Sequence, residues 1–132
     1  MQRSKVLTAE QASHCDLLNS VINLRFHQAA QGGSPVTEED WVALQRQVQT
    51  NMPRFVEAVM ASGYVPDRVE GRIILLVKLR FQPAETGTLL GLHPSALSKR
   101  RSRLLKQMFG IDGPADEFDR RIQALGIDET AI

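Results

Sequence analysis

An all-α fold is predicted: a helical bundle containing a helix-turn-helix, with an N-terminal helical arm. Three observations carry this prediction. Apolar residues recur at spacings of three and four along nearly the whole chain, and no run alternates as a half-buried strand would. Helix starts are marked by capping patterns at Thr8, Thr37 and Asp67, and stops by Gly63 and Gly91. Finally, the stretch GLHPSALSKRRSRLLKQMF (Gly91 to Phe109) follows a short helical segment through a glycine turn.

The 132 residues suffice for one domain, or for a small domain with an arm. A chain of this size buries roughly two-thirds of its unfolded surface, so it needs no disulfide or metal staple. Cys15 is the single cysteine, which excludes an intrachain bridge and suits a reducing compartment. No apolar run reaches the roughly 18 to 20 residues that cross a bilayer, and Met1–Lys5 leads into no signal-peptide core. The expectation is a soluble, cytoplasmic chain that makes no membrane contact itself.

A net charge of +1 conceals an uneven distribution. From Asp67 to Lys106 there are nine bases and three acids, a surplus of +6; the remainder holds seven bases and twelve acids, −5. That split predicts a basic face for a polyanion, set in an acidic remainder.

Taken in order, Thr8 and Gln11 open a helix expected to run to about Gln31. Cys15, Leu18, Ile22 and Ala29 form one stripe on it, with Leu17, Val21 and Leu24 beside it. So wide an apolar arc wants cover, either from the same chain or from a second copy. Gln31-Gly32-Gly33-Ser34-Pro35 is the best linker candidate. Residues 1–33 are therefore an N-terminal helix and candidate dimerisation arm, with Leu18 and Ile22 at the dimer interface, and residues 34–132 a helical domain. Thr37 caps a helix with an acidic first turn and the anchors Trp41 and Leu44; Pro53 starts the next, which carries Phe55, Val56, Val59 and Met60. Asp67 with Glu70 opens the most buried helix, GRIILLVKLRF. Asp116 to Leu125 reads as a short closing helix, with Phe118, Ile122 and Leu125 inward.

The helix-turn-helix spans about residues 83–109. Pro83 stands first in a short helix that Gly91 ends, and Pro94 opens a longer basic one. The two helices must cross closely, so a small residue is needed there, and Gly87 supplies it; Leu92 lies under the turn. Leu97, Leu104 and Met108 form an inner stripe, with Leu105 at its edge. Ser95, Ser98, Lys99 and Ser102 fall opposite, where short or flexible donors near a helix start can reach base edges in a major groove. Arg100, Arg103 and Lys106 flank them and reach phosphates, with Arg80 as a scaffold base and His93 at the helix start as further phosphate contacts.

Catalysis is not expected. The spacing of His14 and His27 does not put them on one helical face as ligands, and no phosphate loop or acid pair beside a nucleophile occurs. No cofactor and no metal are expected. The alternative to a DNA reader is a protein-interaction module with a degenerate helix-turn-helix that no longer binds DNA.

FQPAETGTLLGLHPSALSKRRSRLLKQMF resembles the output domain of LuxR/GerE-type transcriptional regulators, which is also similar to region four of sigma factors. The matching features are Glu85, Gly87, Leu90-Gly91-Leu92, Leu97 and the basic tail Arg101-Ser102-Arg103-Leu104. Trp41, Pro53-Arg54-Phe55 and FGIDGPADEFDRRI extend the likeness to about Thr37–Ile122, in the manner of bacterial regulators whose sensor precedes the output domain. The resemblance implies double-stranded DNA as ligand, a homodimer on paired half-sites, and RNA polymerase as a further candidate partner. Two positions depart from the pattern: Thr86 replaces an aliphatic residue, and His93 replaces the usual Ser or Thr cap.

Overall fold

Local capping chemistry sets most helix starts in the computed structural model, which describes residues 20–126. Seven helices and no strand occur among those residues: α1 (Val21–Ala30), α2 (Glu38–Asn51), α3 (Pro53–Ala61), α4 (Arg68–Lys78), α5 (Pro83–Leu90), α6 (Pro94–Phe109) and α7 (Ala115–Ala124). Thr37 Oγ1 accepts from the Asp40 N–H while Asp40 accepts from the Thr37 N–H, closing a reciprocal box at the start of α2. Asp67 Oδ1 accepts from the Glu70 N–H at 2.7 Å in the same manner at α4.

Helix α4 is the hub. Ile73, Ile74, Leu76 and Val77 are buried on it, and its C-terminal continuation adds Leu79 and Phe81. Against this hub pack Trp41, Leu44 and Val48 of α2, Phe55 of α3, the inner stripe of α6, and Phe118 and Ile122 of α7. Lys78 is buried too. Its ammonium donates to the Gln123 and Leu125 carbonyls at 2.9 and 2.8 Å, satisfying the end of α7, and it lies 5.1 Å from the centre of the Phe55 ring. Met60 on α3 is 74% exposed.

The N-terminal helix differs from expectation in three ways. Helix α1 starts at Val21, because Ser20 is extended and its hydroxyl accepts from the Asn23 N–H, so the helix expected from Thr8 to about Gln31 is interrupted at Ser20. Its buried face is Asn23, Phe26 and Ala29, while Val21 and Leu24 are 86% and 57% exposed. The anchor is Phe26, whose ring meets Trp41 edge-on at 4.8 Å. Finally, Gly32-Gly33, the linker candidate, forms a tight helix end. Gly32 has φ +100°, and a Cβ on Gly33 would sit 2.8 Å from the Gln28 carbonyl oxygen. Arg25 reinforces this closure by donating to the Ser34 and Pro35 carbonyls. Ile22 is half-buried against the core of its own chain, and Leu18 lies outside the described residues.

Candidate nucleic-acid interface

The α5–turn–α6 unit is built from the turn outward. Gly91 adopts the left-handed conformation (φ 66°, ψ 33°), and the Leu92 N–H returns to the Gly87 carbonyl at 2.9 Å. A Cβ on Gly87 would lie 2.9 Å from the Leu92 carbonyl oxygen. Gly87 is thus required by the turn folding back on α5, and not by a close crossing of α6. Leu92 is half-buried under the motif as expected.

At the start of α6, Nδ1 of His93 accepts from the Ser95 N–H at 3.2 Å. Histidine thereby takes the capping role that Ser or Thr would fill, and Pro94 removes one donor that would need a partner. Leu97, Leu104, Leu105 and Met108 are buried, holding the helix on the core. Arg101 shares that inner side. The residue is 4% exposed and its guanidinium grips Asp119 of α7, with Nε donating to Oδ1 at 3.0 Å. Although part of the basic run, Arg101 faces inward. The spacing 97, 101, 104, 108 was the available signal, overridden by residue type.

The outward face carries the remaining predicted residues. Ser95, Ser98, Lys99, Arg103 and Lys106 are exposed, and Ser102 and Arg100 are half-buried. Lys106 is also 3.2 Å from Asp112 at an exposed position, a contact that water and salt weaken. Arg80 is exposed on the separate α4–α5 turn with φ +67°, an unusual conformation for a residue with a Cβ. Arg103 lies close enough to influence Tyr64. The Tyr64 phenol donates to Glu70, and that bond chiefly raises its pKa; burial and the charges of Glu70 and Asp67 add to the rise, while Arg103 opposes it.

Charge pairing separates this face from the rest of the surface. Arg25, Arg68, Arg72, Arg101, Arg120 and Arg121 all stand in ion pairs with carboxylates. Among the described residues, Lys99, Arg100 and Arg103 on α6 form neither an ion pair nor a hydrogen bond, and of the other bases only Arg46 and Arg80 share that state. Three unneutralised cations on one helix face, beside small hydroxyl side chains, form a surface suited to an anion rather than to water alone.

A further contact missed by sequence reasoning ties α1 to this unit. The His27 ring stacks on Phe81 at 3.9 Å, and its Nδ1 lies 2.9 Å from Glu85 Oε2. Glu85 also accepts from the Gln82 N–H at 2.9 Å, closing the start of α5. Thr86 is buried with its hydroxyl oxygen unpartnered, so the departure from an aliphatic residue leaves a polar atom unsatisfied in the core.

Among the described residues no group of His, Cys, Asp and Glu has metal-binding geometry, and no helix is long and apolar enough to cross a membrane. Comparison with family models, with curated proteins and with solved structures gives no match.

Proposed function

We propose that this chain is a sequence-specific DNA-binding transcriptional regulator that reads the major groove with α6. The observation that carries the proposal is the set of unpaired cations Lys99, Arg100 and Arg103 on the outward face of a helix whose other face is fixed in the core. Ser95, Ser98, Lys99 and Ser102 are assigned to base edges, and Arg80, His93, Arg100, Arg103 and Lys106 to phosphates. The resemblance to LuxR/GerE-type output domains supports the same reading, with a cytoplasmic location, two copies on paired half-sites, and RNA polymerase as a further partner. A single recognition helix offers few base contacts, so a second copy on the same duplex would raise avidity about a hundredfold or more.

Titration of duplex DNA across salt tests the proposal. If about five phosphates are neutralised, log K falls with log salt at a slope of about −4 to −5. Affinity then drops roughly several-hundredfold between about 50 and 200 mM salt. A flat response removes the DNA reading and leaves the interaction module.

A further inference from the structure

The start of α6 carries an interaction beyond its cap. Nδ1 of His93 accepts from the Ser95 N–H at 3.2 Å, and it also lies 2.9 Å from the Ser95 hydroxyl oxygen. A backbone N–H can only donate, so this nitrogen presents its lone pair, and the neutral ring carries its hydrogen on Nε2. The contact with the hydroxyl then has one polarity: Ser95 donates and His93 accepts.

A hydroxyl has one hydrogen and two acceptor lone pairs. With its hydrogen held by His93, the exposed Ser95 offers a ligand acceptor sites alone. A serine at position 93 would also cap the helix, but it brings a hydrogen of its own, so two hydroxyls in contact would have no fixed polarity. Base edges in the major groove differ in this same property. Adenine N6 and cytosine N4 carry amino hydrogens, whereas guanine O6 and thymine O4 only accept. A serine that rotates freely suits either kind. Ser95, as held by His93, suits the amino groups only.

We infer that His93 makes Ser95 a specificity-determining residue for an exocyclic amino group, adenine N6 or cytosine N4, at the base pair beneath the start of α6. The inference rests on the assignment of Ser95 to a base edge above, whereas the polarity of the His93–Ser95 pair is independent of DNA. It also lets His93 serve two tasks at once. Nδ1 closes the helix start, and the hydrogen on Nε2 remains for a phosphate without any charge on the ring.

Two measurements test this. In the free protein, nitrogen-15 spectra of the imidazole at about pH 8.5, above the range in which imidazoles titrate, should show His93 with a bare Nδ1 and a hydrogen on Nε2. On DNA, site selection locates the base pair at which Ser95→Ala relaxes preference. There, wild type should favour adenine over guanine, or cytosine over thymine, by roughly three- to tenfold, the worth of about one hydrogen bond. His93→Ser, with native helical content, should bring that ratio close to one while preference at the other positions is kept. A hydrogen on Nδ1 in the free protein overturns the inference. So does a Ser95-dependent preference for guanine or thymine, a His93→Ser ratio equal to that of wild type, or a Ser95→Ala variant that relaxes no position. A wild type that enriches no motif, whatever its spectra, overturns the DNA reading itself and this inference with it; a motif with the wrong edge overturns this inference alone.

Discussion

Arg101, on the helix assigned to DNA, is held by Asp119 of α7 eighteen residues away, its Nε donating to Oδ1 at 3.0 Å. Asp116 adds a weaker contact at 3.9 Å. The pair makes α7 the outer clamp of α6, and it takes one positive charge out of the DNA-facing count. Breaking a buried pair from one side strands the other charge, which costs more than removing both. Asp119→Ala should therefore cost about 2–4 kcal/mol, toward the lower end because the carboxylate is partly exposed, whereas Arg101→Met/Asp119→Ala should cost clearly less. Urea denaturation of the two variants checks this ordering. The double variant should also keep the wild-type salt slope, since Arg101 reaches no phosphate.

Arg80 sits in the left-handed region, where a helix C-terminus ordinarily places glycine. The Phe81 N–H bonds to the Leu76 carbonyl and the Arg80 N–H to that of Val77, both at 3.0 Å, so the turn itself is the one glycine would make. Arg80→Gly should raise stability by roughly 0.5–1 kcal/mol, the relief of left-handed strain less glycine's added chain entropy. It should also reduce the DNA salt slope by about 0.9, the loss of one phosphate contact. Gains in both stability and affinity would remove Arg80 from the interface.

Glu85 is subject to opposing influences. Burial pushes its pKa up, but the Gln82 N–H, His27 and the Gln31 side chain together hold it below the ordinary 4.5. A carboxyl depressed in the folded state contributes stability that is present above its unfolded pKa and lost as pH falls through the folded one. Stability should thus decline as pH drops below about 4.5. The Glu85→Gln variant should start less stable at neutral pH and show a shallower decline in that acid window. Denaturant midpoints measured at a series of pH values decide it; parallel curves would mean that Glu85 contributes nothing through its charge.

Features legible in the sequence were those whose causes lie within a few residues. The Thr37 cap, the Asp67–Glu70 box, the left-handed Gly91 and the Leu97–Leu104–Met108 stripe each follow from local geometry, and each is present. Tertiary causes were hidden. Nothing near Arg101 announces Asp119, and nothing near Lys78 announces the end of α7. The aliphatic stripe of α1 does not predict its buried face, because one aromatic contact, Phe26 on Trp41, sets its rotation. A glycine inside a helix signals a close approach at Gly87, but its partner, the Leu92 carbonyl of the turn, is not written in the local sequence.

The central claim is that α6 distinguishes base sequences, and selection from random duplexes, followed by the affinity ratio of the selected site to random DNA, tests it most directly. Wild type should enrich a recurrent motif. Ser98→Ala and Lys99→Ala should each cost about 1–3 kcal/mol on the best site and relax preference at the bases beneath them, while Arg103→Ala weakens all sequences about equally. No enriched motif from wild type, or Ser98 and Lys99 variants that select the same motif with undiminished preference, would contradict the account.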